Sequence, residues 1–134
     1  MSGLLKISEA ASLAFHAMYL LSKANGKKLN TLSMAKKLNV SADHLAKVMQ
    51  RLAGSGFVKS TRGPTGGFSL AQPASKITLM QIYEAIHGKF VPTCCLLKKP
   101  VCSDGRCLLG GLLCKVDQQI SEHLNSTRLS YFAI

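Results

Sequence analysis

Apolar residues recur at steps of three and four in five stretches of this chain, and two short strand candidates lie between the third and fourth. Leu13, Ala14, Ala17, Met18 and Leu21 give one apolar face to a helix predicted from about Ser8 to Ala24, which Asn25-Gly26 stops. A shorter helix is predicted after Thr31, with Leu32, Ala35 and Leu38 inward and Lys36 and Lys37 outward. Asn39-Val40 turns the chain, and Ser41 is placed to cap a third helix, which Leu45, Val48, Met49 and Leu52 bury. Strands follow at Phe57–Thr61 and Phe68–Ala71, joined by Arg62-Gly63-Pro64-Thr65-Gly66-Gly67, where proline and glycine supply turn dihedrals. Thr78-Leu79-Met80-Gln81 has the form of a capping box opening a fourth helix to His87, with Leu79, Ile82 and Ile86 inward and Gly88 at its end. The last helix is predicted from Gly111 to Asn125, with Leu113, Val116, Ile120 and Leu124 on one stripe; that stripe suits a dimer contact and packing on its own core equally. The tail ending Tyr131-Phe132-Ala133-Ile134 has no assigned role.

The predicted fold is mainly α with a small β-hairpin wing: a winged helix-turn-helix followed by a long C-terminal helix. Residues 1–90 form the DNA-binding domain, 91–110 a cysteine-rich loop, and 111–134 the C-terminal helix and tail. A short helix, a brief turn and a longer capped helix are the parts of a helix-turn-helix, and a hairpin directly after them is a wing.

Charge sharpens this picture. Lys and Arg total 17 against 6 acids, for a formal net charge of +11. Such an excess favours a polyanion, since each phosphate contact releases condensed counterions. No apolar run reaches the roughly 18 to 20 residues that span a bilayer, and Met1-Ser2-Gly3-Leu4-Leu5-Lys6 lacks the layout of a secretion signal. The expected location is the cytoplasm, with no membrane partner. Ala42, Asp43, His44 and Lys47 at the start of the third helix are expected to face base edges, with Ser41 near a phosphate and Arg51 further along. Arg62 at the wing's base is expected in the minor groove or on the backbone, and Thr65, Gly66 and Gly67 let the wing approach phosphates. An enzyme is not expected: no C-x-x-C motif or Ser, His and Asp constellation is present.

All five cysteines fall between Cys94 and Cys114. A disulfide framework would spread an even number along the chain, so crowding points to a metal or redox site.

The stretch Arg51-Leu-Ala-Gly-Ser-Gly-Phe-Val-Lys-Ser-Thr-Arg-Gly-Pro-Thr-Gly-Gly-Phe-Ser-Leu70 resembles the winged-helix regulator family that includes IscR, NsrR and CymR. So do Ile7-Ser8-Glu9-Ala10-Ala11-Ser12-Leu13-Ala14 and Ile77-Thr78-Leu79-Met80-Gln81-Ile82. The resemblance implies a transcription regulator, expected to be a repressor, that forms a homodimer through crossed C-terminal helices and binds double-stranded DNA at an imperfect palindromic operator. Many members hold an iron–sulfur cluster in the loop before that helix, and the cluster's state alters DNA affinity. Cys95, Cys102 and Cys107, spaced C-x6-C-x4-C, are close to the three-cysteine pattern of those members, and thiolates are soft ligands suited to such clusters. The resemblance leaves [2Fe–2S] and [4Fe–4S] both open. Lys98, Lys99 and Arg106 would offset the negative charge of a thiolate-bound cluster.

The fourth ligand departs from the family patterns. IscR-like members place a histidine three residues after the third cysteine, where this chain has Gly110. NsrR-like members use a carboxylate near the N-terminus, where Ser12 stands here, with Glu9 one turn earlier. On a continuous helix Cys114 would lie roughly 10 Å beyond Cys107, but Gly110-Gly111 can delay the helix and bring Cys114 into its first turn. Cys114 is the favoured fourth ligand, with Cys94 and Glu9 as the alternatives. A second reading is a cluster-free regulator of the same family, controlled by thiol oxidation at Cys94, Cys95 or Cys114 or by a partner protein.

Overall fold

The first four α-helices begin where the sequence supplies a side-chain oxygen for the amide groups left open at a helix N-terminus, whereas the last begins at Gly111 without one. In the computed structural model, which describes residues 7–99, 101–102 and 107–133, Ser8 accepts from the Ala11 amide at 3.1 Å and opens α1 (Glu9–Lys23). Asn30 accepts from Ser33 at 2.7 Å to open α2 (Thr31–Leu38), and Ser41 from His44 at 3.3 Å to open α3 (Ala42–Gly54). The capping box of α4 (Leu79–His87) is complete. Gln81 N–H donates to Thr78 Oγ1 at 3.2 Å, and Thr78 N–H donates to Gln81 Oε1 at 2.9 Å. Asn39 turns the chain between α2 and α3 in the left-handed region, at φ 55°.

The hairpin is antiparallel, β1 (Val58–Thr61) against β2 (Gly67–Leu70), with Val58 opposite Leu70 and Thr61 opposite Gly67. It does not stand alone. Leu29 N–H donates to the Phe68 carbonyl at 2.9 Å and Phe68 N–H donates back at 2.8 Å, so the segment entering α2 pairs with the wing. This fastens the wing to the helix-turn-helix.

The core lies between α1, α3 and α4, and Ala14, Ala17, Met18, Leu45, Met49, Leu52, Ile77 and Ile82 belong to it. α2 sits on it differently from expectation: Leu32 is 74% exposed, while Met34 is fully buried beside Ala35. In α4, Leu79 is half-buried and Met80 is buried with Ile82 and Ile86.

α5 (Leu112–Ser126) packs against α4, yet none of its residues is buried. The tail then returns to its own winged body. Leu79 N–H donates to the Thr127 carbonyl at 3.0 Å, Leu129 N–H to the Ile77 carbonyl at 2.8 Å, and Arg128 Nη1 to the Ser75 carbonyl at 3.1 Å. A short 3-10 turn at Leu129–Phe132 buries Leu129 in the core and sets Phe132 edge-on to Tyr19. Among the described residues no helix is long and apolar enough to cross a membrane. The segment Met1–Lys6, Arg106 and Ile134, to which the sequence reading gave weight, lie outside the described residues.

Candidate nucleic-acid interface and cysteine cavity

Burial of Leu45, Val48, Met49 and Leu52 fixes the rotation of α3, so Asp43 and Lys47 stand exposed and His44 half-exposed at its N-terminal end. Ala42 beside them is half-buried, in part against the core. His44 Nδ1 lies 3.7 Å from Glu9 Oε1, an ion pair whenever the imidazole is protonated. Glu9, weighed as a cluster ligand, thus reaches the reading helix of its own chain. Arg51 has a structural bond: its Nη1 donates to the Ile86 carbonyl at 3.0 Å and ties α3 to the end of α4. In the wing Arg62 and Thr65 are exposed, and Gly66 N–H closes the turn on the Gly63 carbonyl at 2.9 Å. Gly67 passes so close to Leu29 that a Cβ would stand 2.7 Å from its carbonyl oxygen.

The loop after α4 is anchored at its root. Glu84 Oε2 accepts from Phe90 N–H at 2.8 Å, Tyr83 packs between His87 and Phe90, and His87 Nε2 meets Ser8 Oγ at the cap of α1. Further on, Asp117 Oδ2 of α5 accepts from Thr93 N–H at 2.7 Å. Gly110 and Gly111, at φ 59° and 82°, delay α5 until Leu112, which puts Cys114 in its first turn. There Cys114 is joined to Cys94 in a disulfide, with Cα atoms 4.4 Å apart. Cys114, expected as the fourth metal ligand, therefore has no thiolate to give in this state. Cys95, Cys102 and Cys107 are free thiols. With Cys94 they line one cavity of about 220 Å3, walled by Leu96, Leu97, Leu108, Leu109 and Leu113. Among the described residues no three His, Cys, Asp or Glu side chains stand close enough to hold one metal ion.

Over residues 7–133 the chain matches the Rrf2 family, described as an iron-dependent transcriptional regulator. The chain belongs to the Rrf2 family. An HTH-type transcriptional regulator of Aquifex aeolicus (strain VF5) is 30% identical over 125 residues, 91% of this chain and 87% of that protein. The HTH-type transcriptional regulator IscR of Cereibacter sphaeroides is 30% identical over 77 residues, 58% of this chain and 50% of its own length. Among solved structures, CymR (YrzC), the global cysteine regulator of B. subtilis, superposes with a TM-score of 0.78 at 28% identity, with 97% of each chain covered. This Rrf2 protein is a DNA-binding transcription regulator with a winged helix-turn-helix fold, not an enzyme.

Two features of the Rrf2 protein's loop escaped the sequence reading. One is the pair of carboxylates, Glu84 and Asp117, that hold its first residues by their amides; their signal was that only 6 acids occur in the chain. The other is the setting of Cys107. The Leu109 amide donates to its sulfur at 3.4 Å, and those of Gly111 and Gly110 also favour the thiolate. These bonds hold the thiol below the ordinary cysteine range, against a smaller upward push from burial.

The sign of the pH effect follows. A lowered value keeps Cys107 partly ionised as pH falls, while ordinary thiols become thiolates only near pH ~8.5. Iodoacetamide is expected to label Cys107 faster than the cysteine of an unstructured reference peptide at neutral pH, with the lead shrinking as pH rises to about 9. Peptide mass spectrometry against pH measures this, and equal labelling throughout would contradict it.

Proposed function

We propose that this Rrf2 protein is a homodimeric repressor whose hold on an imperfect palindromic operator changes with the state of its cysteine loop, and that the loop carries an iron–sulfur cluster. The observation that carries the sensing half is the gathering of Cys94, Cys95, Cys102 and Cys107 around one leucine-walled cavity next to α5. The donor set fits such a group: three soft thiols are at hand to supply the ligands. Cys95, Cys102 and Cys107 would hold it once drawn together, and the lysines Lys98 and Lys99 supply local positive charge. The cluster would bring iron chemistry that responds to oxidants and nitric oxide. The chain's own part is to turn loop order into the placement of α5. That helix, with Leu113, Val116, Ile120 and Leu124 half-exposed and nothing buried, is the surface on which a second copy would pack.

On the DNA, α3 would enter the major groove with Asp43, His44 and Lys47, and the wing would place Arg62 and Thr65 on the neighbouring backbone. Ser41, Ala42 and Arg51 on α3, with Gly66 and Gly67 in the wing, complete the proposed contact surface. A protein so employed works in the cytoplasm beside its DNA.

The experiment is anaerobic purification followed by absorption, iron and sulfide measurement, and titration of a duplex selected from random sequence. Matched iron and sulfide, lost on changing Cys95, Cys102 or Cys107 to alanine, is expected. Lys47→Ala is expected to weaken the duplex by about 1–3 kcal/mol if it contacts a base, and to flatten the salt dependence by about one ion if it contacts a phosphate. A colourless protein after reconstitution, binding DNA no differently without its cysteines, would refute the sensing half. The Cys94–Cys114 bond favours a second reading, control by thiol oxidation without a cluster.

A further inference from the structure

We infer that Cys94 and Cys114 are a reversible redox latch, a modification site that fastens the cysteine loop to the first turn of α5 and withdraws one thiol from the sensing site. A hydrogen bond beside the disulfide holds the partners together. The Thr93 amide donates to Asp117 at 2.7 Å, and the next residue, Cys94, is bonded to Cys114, one turn before Asp117 on the same helix. The two links are neighbouring rungs between the same strand of loop and the same face of α5. The Thr93–Asp117 bond does not involve sulfur, so it survives reduction and keeps the two thiols at high effective concentration. A pair held in this way closes readily and reopens without loss of register.

The chemistry balances with a peroxide as oxidant. One thiolate attacks the peroxide oxygen; its sulfur becomes a sulfenic acid as the O–O bond breaks and hydroxide or alkoxide leaves. The second thiolate attacks that sulfur, the S–S bond forms as the S–O bond breaks, and hydroxide leaves and takes a proton from solvent to become water. A dithiol reductant reverses this through a mixed disulfide and is itself oxidised to a cyclic disulfide.

The consequence lies in the ring that the bond closes. Its sequence separation is 20, and Cys95, Cys102 and Cys107 all fall inside it. Closed, the latch leaves these three thiols alone; open, it adds Cys114 at the head of α5 as a fourth. Oxidation is thus placed to block loading of the site before any metal arrives. This part rests on the iron–sulfur reading above, whereas the latch itself does not.

The test uses the full chain, purified without oxygen and treated with equimolar hydrogen peroxide. Alkylation is expected to fall from five thiols to three, mass spectrometry to show the 94–114 cross-linked peptide, and dithiothreitol to restore all five. Asp117→Asn, which weakens the neighbouring rung, is expected to slow cross-linking several-fold without changing which cysteines pair. Oxidised protein given ferrous iron and sulfide is expected to bind about tenfold less iron than reduced protein, and Cys94→Ser is expected to lose that difference. Oxidation scattered over Cys95, Cys102 and Cys107, or full iron uptake by cross-linked protein, overturns the latch. If reduced protein also takes up no iron, the iron–sulfur reading falls by itself. Hydrogen exchange across the first turn of α5 then decides the latch: slower exchange in the cross-linked form sustains it, and unchanged exchange overturns it.

Discussion

Leu45→Ala is expected to lower the stability of this Rrf2 protein by about 2–5 kcal/mol, and its melting temperature by about 10 °C or more. Leu45 is fully buried one turn into α3, where it anchors the reading helix to the core formed with α1 and α4. Removing three carbons there costs their transfer from water and leaves a cavity that close-packed neighbours fill only in part. Leu32→Ala is the matched control. The same substitution at a side chain 74% exposed is expected to change stability by no more than about 0.5 kcal/mol. Thermal unfolding by circular dichroism separates the two. Equal losses at both positions would mean that α2 is seated with Leu32 inward, contrary to the structure.

That control marks where the sequence was legible and where it was not. Local rules located the caps of α3 and α4: the hydroxyls of Ser41 and Thr78 sit where an N-cap must, and Gln81 closes its box. The long amphipathic runs of α1 and α3 had enough turns to fix which face goes inward. α2 is 8 residues, too short for periodicity to distinguish Leu32 from Met34 as the inward residue. Its rotation is set from outside, by the pairing of Leu29 with Phe68 of the wing, a contact across 39 positions that no local pattern encodes. The tail is the same case: its Leu129 enters the core only because the chain returns to Ile77.

In the cysteine loop, the resemblance to cluster-binding members grouped Cys95, Cys102 and Cys107, and the structure sets these three, with Cys94, along one cavity. Cys114 was reached by the right step, the delay of α5 at Gly110-Gly111, but its partner was not legible. Pairing with Cys94 depends on the Thr93–Asp117 contact, which joins residues 24 apart. Glu9 likewise carried the chemistry of a ligand, and only the packing of α1 on α3 turns its carboxylate to His44.

Gly66→Ala is expected to weaken operator-type DNA by tenfold or more while leaving the helical body folded. Gly66 closes the wing turn on Gly63, and a Cβ there would collide with the Thr61 carbonyl oxygen while standing only 2.9 Å from the Gly63 oxygen and the Arg62 carbonyl carbon. All three obstacles are backbone, so no side chain can rotate out of the way. The turn itself must open, and the displaced segment carries Arg62 and Thr65, the residues that the wing presents outward. Loss of one or two phosphate contacts, with about 1–3 kcal/mol of strain in whatever turn replaces this one, gives an effect of that size. The body does not share the damage, because α1, α3 and α4 form their core without the turn. Gly54→Ala is the companion substitution: Gly54 ends α3, nothing lies within 4 Å of its added Cβ, and alanine there is expected to be neutral or to stabilise by up to about 1 kcal/mol. DNA titration and thermal melts on both variants check this. A Gly66→Ala protein that keeps its DNA affinity would show that the wing makes no contact that matters, leaving α3 to account for recognition.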